Sequence, residues 1–248
     1  MKRVALALVV SGLALSGTAI AQGADPVAAI AAAVADAQRP ETDTARDAAR
    51  KPAEIVAFAG VKPGAIVAEM APGGGYYTRI LAKAVGPEGK VYAMVPAAFA
   101  NRPGAMDAIN ALAAQYPNVR VVTVDYADIK LPEPVDLVWT TENYHDFHNG
   151  PTANVAAINS SVFSALKPGG IFFVEDHAAA DGAGTTVTST LHRIEPAAVV
   201  REMTAAGFAL DAQSDLLKNP ADPKTAGVRD PSVQGETEKF AMRFRKPA

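Results

Sequence analysis

Glu69-Met70-Ala71-Pro72-Gly73-Gly74-Gly75-Tyr76-Tyr77-Thr78 is the stretch on which the reading of this chain turns. Before it, VKPGAIVAEMA (residues 61 to 71) is a Pro-Gly turn leading into a short apolar run, the pattern of a buried strand. After it, GGGYYTRILAKAV (73 to 85) begins as a loop and becomes a helix. Glycines at such a handover let the backbone pass close beneath a ligand and present N–H groups at a helix start. A carboxylate at the strand end, here Glu69, can meet a charged or hydroxylated part of that ligand. A glycine-rich turn that binds nothing would read the same way.

Outward from this point, strands and helices alternate. GPEGKVYAMV (86 to 95) is a turn and a second strand, AMDAINALAAQY (105 to 116) a helix, and VRVVTVD (119 to 125) and VDLVWTTE (135 to 142) are strands. A helix near 152 to 166 leads through LKPGG into the strand IFFVEDH. That rhythm predicts βαβ units: an α/β fold with a mostly parallel sheet and helices on both faces. The tail changes pace. EPAAVVREMTAAGF (195 to 208) is a helix stopped by Gly207, and ALDAQSDLL and EKFAMRFRK (238 to 246) are two strands. The Pro/Asp-rich NPADPKTAGVRDPSVQG joins them, and its length and composition read as a loop that is either functional or simply mobile, with mobile the leading reading. Upstream, PVAAIAAAVADAQ (26 to 38) and DTARDAARKPAEIVAFA (43 to 59) are Ala-rich helical stretches with a bend at Pro52. Alanine without bulk predicts an arm that packs on the surface and adds no core.

Composition narrows the chemistry. With 248 residues, 49% of them hydrophobic, the chain is long enough for one well-packed domain. Its 23 Lys and Arg against 26 Asp and Glu leave no basic field for nucleic acid. Having no Cys, it has no disulfides, thiolate metal site, Fe–S ligands or cysteine nucleophile. Lys2 and Arg3, the run VALALVVSGLALSGTAI and Ala19-Ile20-Ala21 describe a secretory signal peptide cleaved after Ala21. The expected division is thus a signal peptide (1–21), a helical arm (22–60) and one domain (61–248), periplasmic or secreted, with no membrane span after cleavage.

From about residue 50 onward the chain resembles the class I S-adenosylmethionine (SAM)-dependent methyltransferases. Glu69 to Gly75 is similar to that family's first motif, Asp125-Tyr126-Ala127-Asp128 to its acidic segment after strand three, and Asp136 to Thr141 to its fourth motif. Leu166-Lys167-Pro168-Gly169-Gly170 resembles the entry to strand five, and His192-Arg193-Ile194-Glu195-Pro196 a late segment before a helix. The closing strand pair is similar to the antiparallel hairpin of the family's seven-stranded Rossmann-like sheet. The resemblance implies SAM as cofactor. Gly73 and Gly75, with Ala71 beside them, would lie under its methionine portion, which Glu69 anchors through water. Asp125 or Asp128 would face the adenine amino group, while Thr141 and Glu142 border the methyl donor. Two positions depart from the pattern. Val95 stands where an acidic residue usually ends strand two and grips the ribose, and Ala71 replaces the first glycine, which is tolerable if φ stays negative.

All four histidines follow the fourth strand. Tyr144-His145-Asp146-Phe147-His148 comes directly after it, Glu175-Asp176-His177 ends the fifth, and His192 precedes the late helix. Tyr144, His145, His148 and His177 are the candidates for orienting or deprotonating an acceptor. A metal reading takes His145, His148 and His177 or Asp176 as ligands, and a structural reading has these residues capping loops. Trp139 reads as core; Tyr76 or Tyr77 could stack on a ligand, with one of them packing inward. The leading function is methyl transfer from SAM to a small-molecule or envelope acceptor. The competing one, favoured by Val95 and the leader, is a binding protein of the same fold that has lost SAM and holds another ligand or a metal in that cleft. A hydrolase would need a nucleophile elbow such as G-x-S-x-G, which is missing.

Overall fold

The structure, a computed structural model, describes residues 25–151 and 153–248. The expected signal peptide lies outside the described residues. Among these, no helix is long and apolar enough to cross a membrane.

Four short helices come first: α1 (Pro26–Val34), α2 (Glu41–Thr44), α3 (Asp47–Arg50) and α4 (Pro52–Ala59). Asp25 caps α1 by accepting the Val27 N–H at 3.0 Å, and prolines open α1 and α4, where no helical N–H is needed. Then follow β1 (Ile66–Met70), α5 (Tyr76–Val85), β2 (Lys90–Pro96), α6 (Ala97–Ala100), α7 (Asp107–Gln115), β3 (Val119–Val124) and β4 (Val135–Thr141). The chain continues through α8 (Val155–Ala165), β5 (Leu166–His177), α9 (Thr188–Leu191), α10 (Pro196–Ala205), β6 (Ala209–Ser214) and β7 (Lys239–Arg245).

One seven-stranded sheet has the order β3-β2-β1-β4-β5-β7-β6. The first five strands are parallel, and β7 runs antiparallel to both β5 and β6. This is the α/β sheet that the strand rhythm predicted and the Rossmann-like methyltransferase fold that the family resemblance implied. Strand order reverses between β1 and β4, so loops leaving their carboxyl ends part and open a crevice there.

Alternating residues feed two cores, as the pleat demands. Trp139 and Phe173 pack on one face with Ile80 and Leu81 of α5; their neighbours Val138 and Phe172 pack on the other with Val199 of α10 and Phe244. The N-terminal arm corrects the expectation set by its composition. Ile30, Ile55, Val56 and Ala59 are buried within the first core, so the arm supplies a wall of the domain. Its few bulky side chains sit at helical spacing on one face, and burial of each contributes roughly 1.5–3 kcal/mol.

The segment between β6 and β7 is likewise not the mobile loop its composition predicts. Asp222 within it is buried and takes a two-pronged bond from Arg193 (2.7 and 3.0 Å), while Val228 N–H reaches Leu191 O at 3.1 Å.

Candidate functional site

The turn after β1 is shaped by positive φ angles at Ala71 (49°), Gly73 (56°) and Gly75 (84°). Ala71 therefore departs from the negative φ its tolerance required. The left-handed conformation costs a residue with a Cβ about 1–2 kcal/mol, and a local bond set holds it in place. The Ala71 N–H donates to Met94 O (3.1 Å) and to the Tyr126 hydroxyl (2.7 Å), which itself donates to Met94 O (3.0 Å). A Cβ placed on Gly73 or Gly74 would meet nothing within 4 Å, so bare backbone faces open space there.

Glu69 faces inward. Its Oε2 accepts the Thr78 hydroxyl at 2.6 Å, tying the end of β1 to the first turn of α5. Burial pushes its pKa up to about 7, against the smaller opposing pull of Thr78. A carboxyl that keeps its proton longer folded than unfolded stabilises fully below its ordinary 4.5, and the contribution is lost as pH rises to about 7. Comparing the natural chain with Glu69→Gln by urea unfolding, the stability difference should shift in favour of Gln across that window and level off above it.

The crevice encloses about 620 Å³ between the ends of β1, β2, β3 and β4, in the range of small-molecule sites. Ala71, Pro96, Asp125, Tyr126, Asn143 and Asp146 are among the residues that line it. Asp125, exposed at the end of β3, accepts the Ala127 N–H at 2.9 Å and so begins a short 3₁₀ turn. Asp128 points to solvent and pairs with Lys130 at 2.6 Å. Val95 is buried against a neighbouring apolar hollow of about 170 Å³ that Gly73, Phe99 and Ile109 also line. A comparable cavity, about 550 Å³, lies at the opposite end of the sheet around Lys62, Lys167 and Arg245. That end carries the strand amino termini, where open parallel sheets do not bind ligands.

Thr141 ends β4, half-buried, and its carbonyl accepts the Asn143 amide at 2.9 Å. Asn143 also bonds the Thr140 hydroxyl and approaches Met70 O at 3.4 Å, bridging the two strands where they part. Sequence reading missed it, since a lone Asn after a strand carries no signature. Glu142, at φ 55°, joins Arg50 of the arm and Lys239 of β7, the latter at 2.9 Å. Glu175 lies 3.8 Å from the same lysine and accepts the Tyr77 hydroxyl at 3.3 Å. Burial pushes both carboxyls up; Lys239 and Arg50 outweigh it at Glu142, which is held well below the ordinary range, while Glu175 stays raised. Tyr76 and Tyr77 both pack inward, and Arg50 lies over both rings.

The histidines separate. Burial lowers the proton affinity of His145, but the bond to Asp176 Oδ1 (2.8 Å) and that carboxylate's charge outweigh it and raise its pKa. Its Nε2 faces His192 Nδ1 at 3.2 Å. His148 Nε2 sits 3.3 Å from Glu202, without a well-aligned bond. His177 bonds Thr237 at 2.9 Å, and burial pushes its pKa down to about 4. Tyr144 is fully buried and lines no part of the crevice: its hydroxyl donates to Glu202 (2.9 Å) and accepts from Asn159 (2.8 Å). The ligand set His145, His148, His177 is not brought together. His145, Asp146 and His192 are, each offering one donor atom within 4.8 Å of the others.

No protein-family model matches the chain, and no curated protein is similar to it in sequence. Solved structures do share its fold. A SAM dependent methyltransferase from Aquifex aeolicus superposes with a TM-score of 0.57 at 18% identity, over 78% of this chain and 88% of that one. The glycopeptide N-methyltransferase MtfA, complexed with sinefungin, gives 0.56 at 17% identity over 82% and 87%. The 4+2 cyclase SpnF gives 0.60 at 15% identity over 90% and 93%. At these identities the similarity is one of architecture, and the site's own residues must carry any functional argument.

Proposed function

We propose that this protein transfers a methyl group from SAM to a small-molecule or envelope acceptor. The observation that carries the reading is the crevice at the β1/β4 parting, lined by Ala71 of the glycine turn and by the exposed Asp125, with Gly73 lining the apolar hollow that adjoins it. Solved neighbours that are named as methyltransferases support it.

The residues present fit the adenine and methionine ends better than the ribose. Gly73 and Gly74 leave room for close approach, and Asp125 offers an acceptor for an amino group. Val95 offers no hydrogen bond where a carboxylate would take two hydroxyls, a loss of about 2–3 kcal/mol of affinity. When bound, SAM supplies an electrophilic methyl carbon on sulfur. What the chain must do is hold the acceptor in line with it and accept a proton where the acceptor carries one. Of the predicted acceptor residues, Tyr144, His145, His148 and His177 all lie behind the crevice wall, and Asn143, Asp146 and Asn149 form that wall. Of the histidines, His145 reaches the wall, its Nε2 lying 3.4 Å from Asp146 Oδ1, while Glu69 orders the turn from below.

Titration calorimetry of the chain from Gln22 onward with SAM should give saturable heat, in the upper micromolar to millimolar range given Val95. No heat at millimolar SAM would remove the proposal.

A further inference from the structure

We propose that His145, Asp146 and His192 form a site for one divalent transition-metal ion of the zinc class, with one coordination position left open. The donor atoms are His145 Nε2, His192 Nδ1 and Asp146 Oδ1. The two nitrogens are 3.2 Å apart, and the oxygen lies 3.4 Å from the first and 3.5 Å from the second. A tetrahedral ion with bonds of about 2.0–2.1 Å keeps its ligands about 3.3 Å from one another, so this triangle is already the face of such a tetrahedron. Two imidazoles and one carboxylate suit zinc and its neighbours, where calcium or magnesium would call for oxygen ligands alone.

The outer partners fit the same reading. Asp176 Oδ2 accepts the His145 backbone N–H (2.7 Å), and its Oδ1 accepts the His177 N–H (2.8 Å) and meets His145 Nδ1 (2.8 Å). That carboxylate accepts a hydrogen bond from Nδ1–H, so Nε2 points its lone pair into the triangle. Asn149 donates to Asp146 Oδ1 at 3.1 Å and is itself held by the Thr188 hydroxyl at 3.0 Å. Both the buried histidine and the carboxylate ligand thus have a fixing partner. One cation satisfies all three donors together.

His145 is buried, whereas the side chains of Asp146 and His192 are 51% and 31% exposed, so the outer side of the triangle is accessible. Three protein ligands and an accessible fourth position are the arrangement of a site that exchanges water for another ligand. Asp146 also lines the crevice, so that position borders it. Nothing here depends on SAM.

The test uses tag-free protein stripped with a chelator, titrated with Zn²⁺ by calorimetry and with Co²⁺ by visible absorption. One equivalent of each should bind, and Co²⁺ should show the intense bands of a four-coordinate ion. His192→Ala and Asp146→Ala, both on the accessible side, should each weaken binding about tenfold or more, and Asp176→Asn about 10–100-fold. Circular dichroism establishes that the variants are folded. No binding, or binding that His192→Ala and Asp146→Ala leave unchanged, would overturn the proposal. Titrating the same samples with SAM separates the two ideas, because a chain that binds metal and no SAM loses only the methyl-transfer reading.

Discussion

Asp222→Ala should unfold in urea with a stability about 3–5 kcal/mol below that of the natural chain. Asp222 and Arg193 are both buried to the last atom of their side chains and meet through two bonds. Removing the carboxylate leaves a guanidinium in the interior with only the carbonyls of Ala178 and Ala226 as partners. It also takes the acceptor from the N–H groups of Lys224 and Glu238, at 3.0 and 2.6 Å. The pair holds more than itself, for it pins the segment between β6 and β7 against the end of β5. Replacing both partners together, as Arg193→Met with Asp222→Leu, should recover much of the loss, because no charge is then stranded. A double variant as unstable as Asp222→Ala would show that the stranded backbone N–H groups of Lys224 and Glu238 matter more than the charge.

Gly75→Val should cost about 3 kcal/mol, the sum of about 1–2 for a side chain in the left-handed region and about 1–3 for overpacking. A Cβ at Gly75 would stand 2.1 Å from Leu112 Cδ1 and 3.3 Å from Arg79 Nη1. Leu112 is buried on α7, so it has nowhere to go. Gly73→Ala is the control. Its φ is also positive, but its Cβ meets no atom within 4 Å, so urea unfolding should report the conformational cost alone, about 1 kcal/mol. Equal losses in the two variants would mean that Leu112 yields.

Most of the architecture was legible because it rests on local rules. Apolar runs of strand length, Pro-Gly turns and the helix stop at Gly207 place the strands and helices where the structure has them, within a few residues. The closing hairpin was legible as well, from EKFAMRFRK and its partner. What composition hid was tertiary. An arm of alanines carries Ile30, Ile55 and Val56 into the core, and a Pro/Asp-rich segment is ordered by one buried arginine that its own sequence does not contain. At the crevice, the glycine turn and Asp125 came from a local pattern. The pairing of His145 with His192, 47 residues apart, depends on where α9 ends and could not be read from the spacing of His145 and His148. Tyr144, just after β4, and Glu69, near the end of β1, both face inward, toward Glu202 and Thr78, an orientation that a strand-end position in the sequence does not reveal.

The place of β7 in the sheet bears on how the polypeptide comes into being. It is translated after every other strand, yet it lies between β5 and β6. Until it emerges, the flank of β5 is bare, β6 has no neighbour to join, and Glu142 and Glu175 wait for Lys239. The arm waits too, since Arg243 bonds Phe58 O at 3.1 Å across 185 residues. Contacts of such separation form late and slowly. Until β7 is inserted, the unfinished sheet keeps an open β-edge, so the domain closes only when this strand joins.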